Sequence, residues 1–374
     1  MNNLRRAAGE LLVVGLAGTE LTDLERAWLK LVRPAGIILF RRNIADAHQT
    51  RALLKEASGL TASNGLRCVD VEGGTVDRLR DALAPMPSAQ AVARADANAH
   101  PRTSQKPFAF QQGSLIAQSV KVFGFNTTLA PVLDLESPDS ANVMGTRAAA
   151  PTADGVTHYA RGFLAGLAAH GVVGCAKHFP GLGGGTSDSH LETPSIHRTN
   201  KQIWQEDLAP YRALQKELQM VMVNHAAYPA TPSKNQPASV SHYWITKVLR
   251  QRIGYRGIIF SDDLEMGGIL KFVPIEEAVV ECVRAGMDLM EICHSPELIL
   301  RAYEALISEA EKSKTFAALL TARATRVAKL RTRFFSTPIP PPLSSSRFEA
   351  LRTKIQRFAG SIANSQPAQE NQPA

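Results

Sequence analysis

GVVGCAKHFPGLGGGTSDSHLETP, residues 171–194, contains the unit from which the chain is built. Its first residues, Gly171 to Ala176, form a short apolar run of the length and character of a buried strand. The run stops at Lys177 and His178, two polar side chains at a strand's carboxyl end. Pro180, Gly181, Gly183, Gly184 and Gly185 then forbid regular structure and predict a mobile loop. The loop carries Asp188-Ser189-His190, and Pro194 closes it. An imidazole titrates near neutral pH, and a carboxylate two residues away orients it and favours its charged form. Proton transfer is one reading of this loop; a solvated surface loop is the other.

The same strand-then-polar-end pattern recurs on both sides of this stretch. Apolar runs of strand length fall at Leu11–Leu16, Gly36–Phe40, Leu66–Asp70, Thr128–Asp134, Gly171–Lys177, Gln219–Asn224, Gly257–Asp262 and Met287–Cys293. Helical patterns separate most of them, at Thr22–Leu31, Ala45–Ala57, Ser104–Val122, Thr152–His170, Asp207–Leu218 and Tyr243–Ile253. Strands alternating with helices predict a parallel sheet covered by helices. Eight such repeats predict an α/β fold, a (β/α)₈ TIM barrel in a single domain over residues 1–335. An open doubly wound sheet is the alternative, but no G-x-G-x-x-G follows the first strand, so a dinucleotide site has no support. Past the eighth strand, Glu297–Phe335 is rich in helix formers with a break near Ser313-Lys314, a C-terminal helical extension of the barrel. Residues 336–374 read as a Pro-rich tail with one possible helix, Arg347–Phe358, and a disordered end, SQPAQENQPA.

The 374 residues are 44% hydrophobic, enough for a substantial core, and carry a formal net charge of +8. Much of that charge is arginine in the last third (Arg323, Arg326, Arg331, Arg333, Arg347, Arg352), read as solvated helix faces because no aromatic-rich nucleic-acid motif accompanies it. Cys68, Cys175, Cys282 and Cys293 lie in or beside apolar segments without metal-ligand spacing, which predicts buried, reduced thiols. Arg5-Arg6 before AAGELLVVGLAG resembles a secretion signal on the surface, but Glu10 interrupts the apolar run and Leu11–Leu16 reads better as a strand. No segment is long enough to span a membrane. The expectation is a cytoplasmic monomer, with no nucleic-acid or membrane partner.

In a barrel, polar residues at the carboxyl ends of strands converge on one face. The third strand ends in Asp70, within VDVEGGTVDRLR, where Gly73-Gly74 mark a turn and Arg78 follows. The fourth ends in Asp134, and the loop after it holds Arg147. The fifth ends in Lys177-His178, the sixth in Asn224-His225, the seventh in Asp262-Asp263. Each alone reads equally well as a cap or a solvated turn. In GIIFSDDL, neighbouring side chains of the strand point to opposite sides, so only one of the two carboxylates faces the axis. That one suits a nucleophile and the other a cap for the next helix, although a double cap fits as well. His178, His190, His225 and His294 near Asp262 suggest a metal, but no H-x-H or H-x-x-x-H pair anchors one. A G-x-S-x-G elbow is missing, and Gly183–Gly185 lacks the helix that a phosphate site would need. A carboxylate nucleophile, a loop-borne proton donor and polar groups that grip hydroxyls make the toolkit of a retaining glycosidase.

These motifs resemble those of the β-N-acetylhexosaminidases of glycoside hydrolase family 3, the single-domain group of bacterial peptidoglycan recycling. The likeness rests on KHFPG (Lys177–Gly181) with Gly183 and then Asp188-Ser189-His190, on SDDLEM (Ser261–Met266), and on DVEGG with its later Arg (Asp70–Gly74, Arg78). It extends to APVLD (Ala130–Asp134), NVMGTR (Asn142–Arg147) and AGMDLMEICHS (Ala285–Ser295), and spans roughly Leu11 to Arg333. The resemblance implies Asp262 as the nucleophile, His190 oriented by Asp188 as acid and base, and a covalent glycosyl-enzyme. Asp70, Arg78, Arg147, Lys177 and His178 would then hold an N-acetylglucosamine residue, with Met266 lining the site and Asp263 structural. The implied substrate is a carbohydrate with terminal β-linked N-acetylglucosamine, and no cofactor or metal is implied. A phosphorylase using the same residues and a non-catalytic sugar-binding barrel are the alternatives. Thr75, Leu182 and Ala148–Ala150 stand where the family more often has Arg, His and Ser-Phe-Gly.

Overall fold

The structure, a computed structural model, describes residues 2–99, 106–138, 141–184, 193–336 and 338–365. Eight parallel strands close into a barrel: β1 (Leu12–Gly15), β2 (Gly36–Leu39), β3 (Leu66–Val69), β4 (Thr127–Thr128), β5 (Val173–Phe179), β6 (Met220–Val223), β7 (Ile258–Asp263) and β8 (Leu289–Ile292). Each pairs in parallel with the next, and β8 pairs back with β1, Met290 beside Leu12. Helices cover the outside, so these strands face packed side chains on both sides and read as continuous apolar runs rather than alternating ones. All four cysteines are buried and free, as the apolar flanks predict.

The fourth strand is far shorter than the predicted Thr128–Asp134. Pro131 has no N–H to give a ladder, and beyond Thr128 only a single bridge, Val132 to Lys177, continues the pairing. The helices begin where short polar side chains can cap them. Thr22 Oγ1 accepts from the Glu25 N–H (3.1 Å) while Glu25 Oε2 accepts from the Thr22 N–H (2.8 Å), a reciprocal capping box at the start of Asp23–Val32. Ser313 ends one helix, Pro296–Lys312, and caps the next, Lys314–Phe334, at the break read from the sequence. The helix expected over Asp207–Leu218 is interrupted: a π-turn spans Ile203–Asp207, and Pro210 sits in the first turn of Ala209–Leu214, where its missing N–H costs nothing. The helices not foreseen include Asn2–Gly9 before β1, Ala89–Asn98, and Ile275–Ala285 between β7 and β8.

The tail helix is longer than Arg347–Phe358: it runs from Ser345 to Asn364. Leu351, Ile355, Phe358 and Ile362 recur along one face and are buried, with the Phe358 ring tilted against Phe108 at 6.3 Å between ring centres. The last residues, 366–374, expected to be disordered, lie outside the described part. The reading of the C-terminal arginines as solvated needs correction. Arg326 Nε lies 3.2 Å from the fully buried Asp288, which also accepts the Ile259 N–H at 2.9 Å and pairs with Arg250. Arg331 is buried too, its side chain 3% exposed. Both are long apolar stems carrying a charge inward, which a count of charged residues along a helix does not reveal. Among the described residues no helix is long and apolar enough to cross a membrane.

Candidate active site

Seven of the nine residues singled out from the sequence line one cavity of about 220 Å³ at the carboxyl ends of the strands: Asp70, Arg78, Arg147, Lys177, His178, Asp262 and Met266. Its volume is below the ~300 Å³ of sites for drug-sized ligands and suits a single small polar molecule. The other two, Asp188 and His190, lie outside the described residues.

Asp70 follows β3 and is reached by Lys177 from β5, with Nζ to Oδ1 at 2.8 Å. Lys177 also lies 2.7 Å from Glu72, the residue that organises this wall. Glu72 receives both Nε and Nη2 of Arg147, at 2.9 and 2.8 Å, a two-pronged pair. Burial alone would raise the Glu72 carboxyl, but Arg147 and Lys177 outweigh it and hold its pKa far below the ordinary value. Burial would lower Lys177 and Arg147 in turn, and the carboxylates around them raise both. The result is a wall of fixed charges in which Arg147 also lines the cavity. Gly73 makes it possible: at φ +98° it turns the hairpin of Val71–Gly73 and Val76–Asp77, and a Cβ there would lie 2.1 Å from the Pro87 carbonyl oxygen. Glu72 received no role from the sequence, although it sits inside the DVEGG motif.

Asp134 is the second organiser. Its Oδ2 accepts from the His178 ring Nδ1 (2.6 Å) and backbone N–H (3.1 Å), and its Oδ1 accepts from the Leu182 N–H (2.6 Å). With Nδ1 donating, Nε2 of His178 is an acceptor turned to the cavity, 3.4 Å from Arg147 Nη2. Asn224 donates to the His178 carbonyl (3.0 Å), and Tyr228 OH donates to the Gly181 carbonyl (2.7 Å), pinning the end of β5 and the start of the loop. On the other side of residues 185–192, Thr193 Oγ1 donates to the Gly268 carbonyl beside the end of β7 at 2.7 Å. Gly181 and Thr193, on either side of the segment that contains Asp188 and His190, are thus each tied to the barrel.

Asp262 and Asp263 diverge at the end of β7. Asp262 lines the cavity, its Oδ1 accepting from the Asp263 N–H at 3.0 Å. Burial would raise its pKa, but His178, His225, that N–H and Lys177 outweigh it, and the carboxyl titrates below its ordinary value. Asp263 turns away, accepting from the Glu265 N–H (3.0 Å) and facing His294 Nδ1 at 3.5 Å. Asp263, Glu265 and His294 approach closely enough to share a cation, but Glu265 already takes His294 Nδ1 (2.8 Å) and the Ser295 N–H (2.6 Å). His225 donates from Nε2 to the Asp263 carbonyl (3.0 Å) and accepts from Ser239 (2.7 Å), so His178, His225 and His294 each have protein partners. Beside them Glu291 of β8 is a buried carboxyl whose Oε1 accepts from the Cys293 thiol (3.2 Å) and whose Oε2 has no partner among the described residues. Burial first, then Asp263 and Asp262, push its pKa well up. No periodicity signalled it.

The pattern of the glycosyl hydrolase family 3 N-terminal domain matches residues 3–330. The chain belongs to that family. It is a glycoside hydrolase. A β-hexosaminidase of Thiobacillus denitrificans is 36% identical over 77% of this chain and 79% of its own length, and one of Alkalilimnicola ehrlichii is 37% identical over 77% and 82%. Among solved structures, a family 3 β-N-acetylglucosaminidase from a Paenibacillus species superposes with a TM-score of 0.85 at 28% identity, covering 96% of this chain and 68% of that one. NagZ from Neisseria gonorrhoeae, in complex with N-trifluoroacetyl-D-glucosamine, superposes with a TM-score of 0.75 at 28% identity over 94% and 98%.

Proposed function

We propose that this family 3 hydrolase is a retaining β-N-acetylglucosaminidase that removes terminal non-reducing β-linked N-acetylglucosamine, with peptidoglycan-derived (anhydro)muropeptide sugars as its substrates. The observation that carries the reading is the ionised Asp262 opening onto a cavity otherwise walled by sugar-gripping groups. Lys177, Asp70, Arg78 and His178 Nε2 present donors and acceptors to hydroxyls, and Arg147, held by Glu72, meets the substituent at the second carbon. These partners are fixed before substrate arrives, so little reorganisation is needed on binding.

Asp262 attacks the anomeric carbon as the bond to the departing oxygen breaks, forming a glycosyl ester. His190, oriented by Asp188, gives a proton to that oxygen. It then takes a proton from water, whose oxygen replaces the Asp262 ester and restores the carboxylate with the original anomeric configuration. An imidazole donor avoids placing a second anion beside the nucleophile.

The test is hydrolysis of p-nitrophenyl β-N-acetylglucosaminide. Wild type turns over, Asp262→Asn loses about 10⁴-fold or more in kcat, and acid quenching traps one N-acetylglucosaminyl unit on the peptide containing Asp262. A folded wild type that is inactive from pH 5 to pH 8 overturns the reading. Sugar 1-phosphate as the product in phosphate buffer makes the enzyme a phosphorylase.

A further inference from the structure

The barrel has a second, larger cavity, of about 990 Å³, at the end opposite Asp262. Its walls come from the helix Asn2–Gly9 that precedes β1, from Lys30–Arg33 before β2, from Ala62–Asn64 before β3, and from one face of Lys314–Phe334. All of these lie at the amino ends of the strands, whereas Asp70, Lys177, His178 and Asp262 stand at their carboxyl ends. The chemistry of the walls is lopsided. Among the described residues lining it, Arg5, Arg6, Lys30, Arg33 and Arg331 face one acid, Glu10, and Arg5 also pairs with Glu304 at 3.3 Å.

Arg331 is what separates this cavity from an ordinary basic surface. Its side chain is 3% exposed, and among the described residues its one ion pair runs from Nη2 to Glu10 Oε2 at 3.3 Å. Nε and Nη1 have no hydrogen-bond partner among the described residues. A buried guanidinium with two unmet N–H donors is costly, because desolvation is offset only where those donors find acceptors. Glu10 cannot supply them all, since its other oxygen faces Arg6 Nε at 3.7 Å. Glu10 and Glu304 leave three of these five cations in excess, which repel one another across the space they enclose, and an anion would relieve both that repulsion and the unmet donors.

The geometry points to a second ligand site here, for a small anion carrying phosphate groups. The guanidinium fork matches phosphate oxygens, and several cations set around a roomy cavity favour more than one negative charge. Among the described residues of the wall the one aromatic side chain, Tyr303, is fully buried and offers no ring face to stack on a nucleobase. Pyrophosphate is the simplest probe of this chemistry. The site is independent of the glycosidase cavity, and its ligand does not enter the hydrolytic steps.

The full chain is titrated with pyrophosphate by calorimetry at constant ionic strength. Saturable one-to-one binding is expected. Arg331→Met and the rim pair Arg6→Gln/Arg33→Gln each weaken it at least tenfold, while Lys201→Gln, far from the cavity, leaves it unchanged. The rim pair is exposed and keeps the test open if Arg331→Met fails to fold. No saturable binding to wild type, or unaltered affinity in the folded rim variant, overturns the inference.

Discussion

Lys177 Nζ lies 2.7 Å from Glu72 Oε1, with both side chains only 3% exposed. Glu72 also takes Arg147, so one carboxylate holds two cations together beneath the floor of the cavity. The wall that would face the sugar is thus kept in shape by a residue that does not itself line the cavity.

Removing Glu72 should damage stability as well as activity. Glu72→Ala leaves Lys177 and Arg147 buried against each other with one counter-charge fewer, and losing one partner of a buried ion pair costs about 3–5 kcal/mol. Urea unfolding should show a loss of unfolding free energy of that size, together with a raised KM. A change below about 1 kcal/mol would mean that the cations find other partners.

Asp134 should control His178. Asp134→Asn presents one oxygen where the carboxylate now accepts from His178 Nδ1, the His178 N–H and the Leu182 N–H. Hydrogen bonds to a charged acceptor are worth about 1.5–3 kcal/mol, so kcat/KM should fall about 10- to 100-fold with the fold intact by circular dichroism. Unchanged kcat/KM would remove His178 from the substrate-gripping set.

Glu291 should make stability depend on pH. The folded chain holds its proton, while the unfolded chain releases it above about pH 4.3. The folded form therefore binds more protons, and the contribution of this group to stability declines as pH rises above that value. Glu291→Gln has no such loss. Its Tm should match wild type near pH 4 and exceed it at pH 7.5, and a Tm difference independent of pH would show that Glu291 is ionised in the fold.

The two proton-transfer roles can be separated by leaving group. With p-nitrophenolate departing, protonation matters little, and the acid limb of kcat/KM reports Asp262. Its lowered pKa places that limb below about pH 4. His190→Ala should slow sugars with poor leaving groups far more than the aryl glycoside. Equal losses on both would argue against His190 as the proton donor.

The eight strands were legible because each is an apolar run buried on both faces, and burial is written directly into residue type. The residues at their ends, Asp70, Lys177, His178 and Asp262, were legible for the same reason, as polar side chains standing where an apolar run stops. β4 was overestimated because Pro131 cannot donate to a ladder, a backbone fact that side-chain hydropathy masks. Glu72, Asp134 and Glu291 gained their places only when distant segments met: what each does depends on the distance to its partners, and local sequence holds no distances. Arg331 is the plainest case. Along its helix it reads as one more solvated cation, and only the packing of Asn2–Gly9 against that face makes it buried, half-paired and short of acceptors. The sequence by itself determined the barrel and the polar rim of strand ends; the tertiary structure decided which charges meet, because Coulomb and hydrogen-bond energies fall off over a few ångströms of space rather than along the chain.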